Sequence, residues 1–74
     1  MSTVDNALLP EPAERERRRR QSGVSQTGLA RMIGVTRRTI YAYEHGTQEP
    51  TGKNRERYAA ILATWELIEI GRAS

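Results

Sequence analysis

A chain of 74 residues with 36% hydrophobic side chains, one tryptophan and no phenylalanine has material for one small, thin core and no length for a second domain. It carries a net charge of +3 at pH 7 and no cysteine, which excludes disulfides and thiolate metal sites. No stretch resembles a signal peptide or a membrane span, so we expect a soluble, cytoplasmic protein with no membrane contact.

The positive charge is concentrated in the middle of the chain. Residues 1–14 contain acidic but no basic side chains, and every basic residue except Arg72 lies within residues 15–57. A basic segment between acidic or neutral ends is where a polyanion such as nucleic acid would bind. Charge alone leaves an ordinary solvated basic surface as the alternative.

The N-terminal part divides into an arm and a helix. Residues 1–9 have weak periodicity and are predicted to be a flexible arm, whereas residues 10–74 form the folded domain. Pro10 and Pro12 suit the first turn of a helix, which we expect to end near Ser22, before Gly23.

This first helix contains a run of charge over residues 15–20. Leu9 and Ala13 are its clear inward candidates, so arginine stems must cover part of the core. The arginines either reach phosphates or form a solvated charged face, and the exact register of the helix stays open.

Two short helices joined by a tight corner are predicted next, over residues 26–33 and 37–45. Ser25 is a good N-cap for the first of them, and Gly34 suits the positive φ that ends it. The apolar stripe of this helix consists of Leu29, Met32 and Ile33.

The second helix of the pair begins after Thr36, another N-cap residue. Ile40 and Tyr43 lie three residues apart and are predicted to point inward. On the opposite face Arg38 is central, with Arg37 beside it. A short helix with two arginines in its first turn and a buried back suits the DNA major groove.

A long amphipathic helix is predicted over residues 54–70, after a loop punctuated by Pro50 and Gly52. Leu67 and Ile70 fall outside its main stripe, which indicates a second buried surface, either a dimer contact or a tail that folds back over the core. The main stripe consists of Tyr58, Ile61, Leu62, Trp65 and Ile68.

These positions resemble the helix-turn-helix of the lambda-repressor/Cro-type (XRE) DNA-binding family. The family pattern has Gln opening the first helix, a small Ala four residues on, Gly at the turn, an aliphatic residue inside the second helix and E-x-G closing it. Over residues 19–50 the matching residues are Gln26, Leu29-Ala30, Gly34-Val35-Thr36, Ile40, Tyr43 and Glu44-His45-Gly46. The resemblance implies an all-α fold, a small lambda-repressor-like bundle of 4–5 helices with the helix-turn-helix at about residues 25–45.

The resemblance also implies roles for individual residues. Arg37 and Arg38 stand at the principal base-reading positions, where a guanidinium that pairs bidentately with guanine provides about 1–3 kcal/mol of discrimination. Gln26 would bond a phosphate and brace the start of the recognition helix. The remaining expected DNA contacts are Thr36 and Thr39 at the helix start, Tyr41 at a base or sugar edge, Ala42 at a thymine methyl, and His45 and Lys53 at phosphates.

Relatives often pair an Arg near the end of the first helix with the Glu of E-x-G. Arg19 and Glu44 have the matching separation. The resemblance therefore implies a partly buried ion pair that fixes the first helix against the recognition helix. The alternative is an exposed pair that contributes little.

The sequence offers no catalytic or metal constellation. His45 is the single histidine, and the acidic residues are scattered, so we expect neither an enzyme nor a cofactor, and no small-molecule effector. The expected function is that of a bacterial or phage-encoded DNA-binding transcriptional regulator. It would be a small Cro or phage-immunity repressor that occupies a palindromic operator in double-stranded DNA.

An antitoxin or adaptor that binds a partner protein is the alternative. The discriminating feature is the apolar end of the last helix, which would form either a homodimer or the contact with that partner. Its expected contact residues are Trp65, Leu67, Ile68 and Ile70.

Overall fold

Four α-helices and no strand make up the part of the chain that the computed structural model describes, residues 8–73. The helices are α1 (Pro12–Ser22), α2 (Gln26–Ile33), α3 (Arg37–His45) and α4 (Gly52–Ala73). The predicted all-α class is confirmed, with four helices. None of them, within this range, has the length and apolar character that crossing a lipid bilayer requires.

The predicted bounds are right for α2 and α3 and too narrow for α4. α4 begins at Gly52 rather than near residue 54, and Arg55 N–H already donates to Thr51 O at 3.2 Å. It continues past Gly71, because one glycine costs a helix only about 1 kcal/mol and does not have to end it. The predicted flexible arm, except for its last two residues, lies outside the described residues.

The inner face of α1 is formed by arginines, and the prediction that Ala13 points inward is wrong. Ala13 is exposed, Leu9 is half-buried, and Arg15 and Arg19 are 3% and 7% exposed. Arg15 donates from Nε to Pro10 O at 2.7 Å and from Nη1 to Tyr43 O at 3.1 Å. These bonds satisfy a cation that would otherwise be costly to bury, so α1 can pack without an apolar stripe.

The hydrophobic core lies between α2, α3 and α4. Met32 is 51% exposed, against the prediction, because the buried face of α2 is centred between Leu29 and Ala30. Ile68, at the end of α4, is also exposed. The buried hydrophobic residues are Leu29, Ala30, Ile33, Ile40, Tyr43, Tyr58 and Leu62.

A ladder of ion pairs joins α1 to the C-terminal half of α4. The Glu14 carboxylate accepts hydrogen bonds from Arg17 at 2.6 Å and from Arg18 at 2.9 Å, and these bonds lower its pKa to about 2. Arg18 also lies 3.4 Å from Glu66, and Arg17 lies 3.6 Å from Glu69. These surface ion pairs connect α1 to the C-terminal half of α4.

Among the described residues, one buried side-chain polar group has no hydrogen-bond partner. Tyr58 is 0% exposed, and its ring stacks on Tyr43 with the centroids 5.5 Å apart. Its hydroxyl forms no hydrogen bond within the described residues. Burial raises the pKa of this phenol, and the negative charge of Glu44 raises it further.

We expect Tyr58→Phe to raise the free energy of unfolding by about 1 kcal/mol, because a buried hydroxyl without a partner costs about 1–3 kcal/mol. Equilibrium urea denaturation measures this difference. Tyr41→Phe is the matched control at an exposed ring and should change stability by less than about 0.5 kcal/mol. A less stable Tyr58→Phe protein would contradict the assignment.

The advantage of Tyr58→Phe should grow as the pH rises. The phenol ionises near pH 10 in the unfolded chain and at higher pH in the folded protein, so alkali favours unfolding of the wild type. Urea titrations between pH 9 and 11 should therefore show a steeper loss of stability for the wild type than for the variant.

Candidate nucleic-acid interface

Local signals in the sequence set the start of each helix in the α2–α3 unit. The Ser25 hydroxyl accepts from Gly28 N–H at 2.9 Å, and the Thr36 hydroxyl accepts from Thr39 N–H at 3.2 Å. At the corner, Gly34 has a φ of 91°, a conformation that glycine adopts without steric cost, and its N–H donates to Ala30 O at 2.8 Å. These contacts fix where α2 ends and where α3 begins.

The first turn of α3 presents two arginines to solvent. Arg37 and Arg38 are exposed, and within residues 8–73 neither guanidinium forms a hydrogen bond or an ion pair. Both also lie at the positive end of the α3 dipole, whose N-terminus favours an anion.

The arginines of α1 differ from these two, because each of them contacts a carboxylate of the protein itself. Arg15 and Arg19 are buried by their contacts, whereas Arg17 and Arg20 are paired but exposed and so form a solvated charged face on α1. The pairs are Arg15–Glu49, Arg17–Glu14, Arg18–Glu14, Arg19–Glu44 and Arg20–Glu16.

A groove runs between one side of α3, the start of α2 and the end of α1. Gln26, Arg37, Tyr41 and His45 line it, so the structure brings four of the predicted DNA contacts together. Sequence reasoning missed that α1 contributes to the same groove through Glu16 and Arg20. No local signal could have found this contribution, because it depends on how α1 packs.

Two aromatic rings stack on the exposed side of α3. The Tyr41 and His45 ring centroids are 3.8 Å apart with an interplanar angle of 19°. His45 Nδ1 lies 2.9 Å from Tyr41 O. The contact fixes the direction of the imidazole ring within the groove.

Beneath the groove, a buried ion pair joins α1 to α3. Arg19 donates from Nε and Nη2 to the two carboxylate oxygens of Glu44 at 2.6 and 3.1 Å, and from Nη1 to Val24 O at 3.0 Å. The carboxylate side chain is fully buried, and its hydrogen bonds raise the pKa of Arg19. The geometry is the buried, bidentate form of the pair rather than the exposed one.

Gln26 completes this cluster from α2. Its Nε2 donates to Glu44 Oε1 at 3.1 Å. The hydrogen-bond partner of Gln26 on α3 thus lies in the last turn of that helix. One carboxylate thus connects α1, α2 and α3.

The other predicted DNA contacts lie outside the groove. Thr36 and Thr39 are occupied with the cap of α3, with their hydroxyl oxygens 3.0 Å apart. Ala42 is half-buried, and Lys53 is exposed in the first turn of α4. Arg38 follows Arg37 on α3 and is exposed, but it does not line the groove.

The end of α4 carries exposed apolar side chains. Leu67 and Ile70 are 70% and 58% exposed, and Ile68 is exposed as well. Trp65 is half-buried against the core. The fold-back alternative for this tail is thus excluded for Leu67, which covers little of the chain's own core.

Comparison with known families matches a helix-turn-helix family model to residues 15–64. The matched segment includes most of α1, all of α2 and α3, and the first part of α4. Comparisons with curated proteins and with solved structures gave no match.

We expect Glu44→Ala to lower the free energy of unfolding by about 3–5 kcal/mol, because it leaves the buried Arg19 guanidinium without its partner. Urea or thermal denaturation followed by circular dichroism measures the loss. Arg20→Ala is the control, since its pair with Glu16 is exposed and should contribute at most about 1 kcal/mol. Equal stability of the two variants would show that the buried pair is dispensable.

Proposed function

The chain belongs to the XRE/lambda-repressor-type helix-turn-helix family, as its sequence predicts, and is a DNA-binding transcriptional regulator; from this premise we propose that it is a small repressor of the Cro or phage-immunity type. It would occupy an operator in double-stranded DNA and block polymerase. The observation that carries the proposal is the pair of exposed arginines in the first turn of α3, which have no partner among the described residues.

Base readout in this proposal comes from α3. Arg38 points from the open face of the helix and Arg37 from the groove side, so each can reach a different base pair. A guanidinium pairs bidentately with guanine O6 and N7 in the major groove. Ala42 offers only a methyl group, suited to a thymine methyl, and Tyr41 would contact a base or sugar edge.

In this proposal, contacts to DNA phosphates position the protein on the duplex. Gln26 uses one N–H for Glu44, and its second N–H remains for a phosphate at the α2 N-terminus, where the helix dipole also favours an anion. Lys53, in the first turn of α4, would contact a phosphate of the DNA backbone. His45 would contact a phosphate at the other end of the groove, while Thr36 and Thr39 would contact the backbone beside the start of α3.

Dimerisation is the second part of the proposal. Leu67, Ile68 and Ile70 present an apolar surface at the end of α4, and Trp65 lies at its edge. A homodimer through this surface would place two recognition helices in successive major grooves, about 34 Å apart on a palindromic operator.

An antitoxin or adaptor is the alternative. The same apolar surface would then hold a different protein, and DNA binding would serve autoregulation. The two proposals differ in whether the pure protein self-associates.

We expect Arg38→Ala and Arg37→Ala to relax specificity at one or two operator positions, with a loss of about 1–3 kcal/mol of discrimination at each. Selection of sites from a random duplex pool, followed by titration of selected and random duplexes, measures this. A variant that weakens both duplexes equally would contradict base readout by α3.

Lys53→Ala is the matched phosphate-contact variant. It should weaken binding to all duplexes alike and reduce the salt slope by about one. A change in sequence preference instead would place Lys53 at a base.

We expect the purified protein to be a homodimer, and Leu67→Glu to make it monomeric and to weaken operator binding, because a carboxylate replaces an exposed apolar contact. Analytical ultracentrifugation measures the association state. Met32→Glu is the control, since Met32 is also an exposed apolar residue but lies on α2. A monomeric wild type would favour the partner-binding alternative.

A further inference from the structure

We propose that Arg20 of α1 is a further phosphate-binding residue of the DNA site, and that it exchanges its ion-pair partner Glu16 for a DNA phosphate beside the start of α2. The inference rests on the proposed function and adds to it a DNA contact made by α1. It comes from the groove that α1 shares with α2 and α3 and from the exposure of one ion pair.

Arg20 and the first turn of α2 line the same groove. The groove residues on the α2 side carry no charge; they are Ser25, Gln26 and Thr27. A phosphate bound by Gln26 at the N-terminus of α2, as proposed above, would therefore lie in this groove. The α2 dipole favours an anion there, but α2 supplies no cationic side chain to the groove. A cation for this phosphate therefore has to come from another helix.

Among the described residues, three arginines line the groove, and Arg20 is the one left for this phosphate. Arg19 is buried and uses its three guanidinium nitrogens on Glu44 and on Val24 O. Arg37 lies in the first turn of α3, where the proposed function assigns it a base. Arg20 is instead exposed in the last turn of α1, with its side chain 71% accessible.

The ion pair that holds Arg20 is weak enough to be exchanged. Its Nη2 lies 3.1 Å from Glu16 Oε2, and the Glu16 side chain is 31% exposed. An ion pair in contact with water favours its closed state by at most about fivefold. A DNA phosphate can accept two N–H groups of the same guanidinium, and its neutralisation also releases a condensed counterion, which the internal pair does not. The exchange therefore favours the phosphate, most strongly at low salt.

The exchange leaves no charged or polar group of α1 uncompensated. Glu16 remains in contact with water and also acts on Arg19, whose pKa is raised by its hydrogen bonds to Glu44 and further by the charge of Glu16. At the end of the helix, Arg20 O already accepts from Gly23 N–H at 3.1 Å. The guanidinium of Arg20 can therefore turn into the groove without breaking a contact that holds α1 in place.

The experiment compares Arg20→Ala with Arg17→Ala. Both remove one exposed, paired arginine from α1, but Arg17 lies 3.6 Å from Glu69 of α4 and does not line the groove. Arg20→Ala should lower the affinity for a selected operator and for a random duplex about fivefold per bound chain at about 100 mM salt, and reduce the salt slope by about one. Arg17→Ala should change both values much less. Titrations of the two duplexes at several salt concentrations measure them.

Arg20→Lys separates a phosphate contact from a structural role. A lysine keeps the positive charge, so this variant should retain the wild-type salt slope and most of the affinity. Circular dichroism checks that Arg20→Ala is folded at the assay temperature, as the exposure of its ion pair leads us to expect. A loss of affinity in Arg20→Lys equal to that in Arg20→Ala would contradict the phosphate contact.

Glu16→Gln tests the exchange with Arg20 left in place. Without the competing carboxylate, the affinity for both duplexes should rise by up to about fivefold per bound chain. Glu14→Gln is the matched control and should give a smaller gain, because Glu14 pairs with Arg17 and Arg18 and does not line the groove. Equal gains in the two variants, or weaker binding by Glu16→Gln, would show that no exchange takes place.

The outcomes separate the inference from the proposed function. Equal losses of affinity and salt slope in Arg20→Ala and Arg17→Ala overturn the inference, and so does a loss confined to the selected operator, which would place Arg20 at a base. Absence of salt-sensitive binding to any duplex would overturn the proposed function together with the inference. Binding that keeps its sequence preference but is unaffected by Arg20→Ala overturns the inference alone.

Discussion

A single buried carboxylate, that of Glu44, determines how the three helices of the site are held. Arg19 from α1 binds both of its oxygens, and Gln26 from α2 binds one of them. Burying two charges is costly, and such a pair is net favourable only when its remaining hydrogen-bonding groups are satisfied. Here the third nitrogen of Arg19 donates to Val24 O, so the geometry meets that condition. The orientation of α3 follows from these directional bonds.

Hydrogen bonds of buried arginines also explain how a helix as charged as α1 packs against the rest of the domain. Its arginines at positions 15 and 19 occupy the places where aliphatic side chains would be expected, and each donates to several acceptors on other elements. Apolar contacts tolerate a small rotation of a helix, whereas bidentate bonds to fixed carbonyls and carboxylates do not. The hydrogen bonds of its buried arginines therefore fix the rotation of α1 about its axis. The remaining arginines of this helix pair with Glu14 and Glu16. Arg37 and Arg38 of α3 differ from them, since neither has a partner within residues 8–73.

Sequence reasoning succeeded where the signal is local and failed where it depends on packing. Ser25, Thr36 and Gly34 act through their own neighbours in the chain, so the bounds of α2 and α3 followed from residue type. Ala13 and Met32 were placed inside because apolar side chains at helical spacing usually are. Their exposure reflects which face each neighbouring helix covers, and a single sequence does not specify this. The partner of Gln26 was missed for the same reason.

The apolar end of α4 is best understood together with the ladder of charges beside it. Glu66 and Glu69 are engaged by Arg18 and Arg17, so the acidic side chains of this end face α1. That arrangement leaves Leu67 on the solvent side of the helix. A helix held on one side by ion pairs and apolar on the other cannot bury that second face within the same small domain. With the acidic side chains of this end on the side of α1, the apolar side chain of Leu67 faces solvent, where a second polypeptide could cover it.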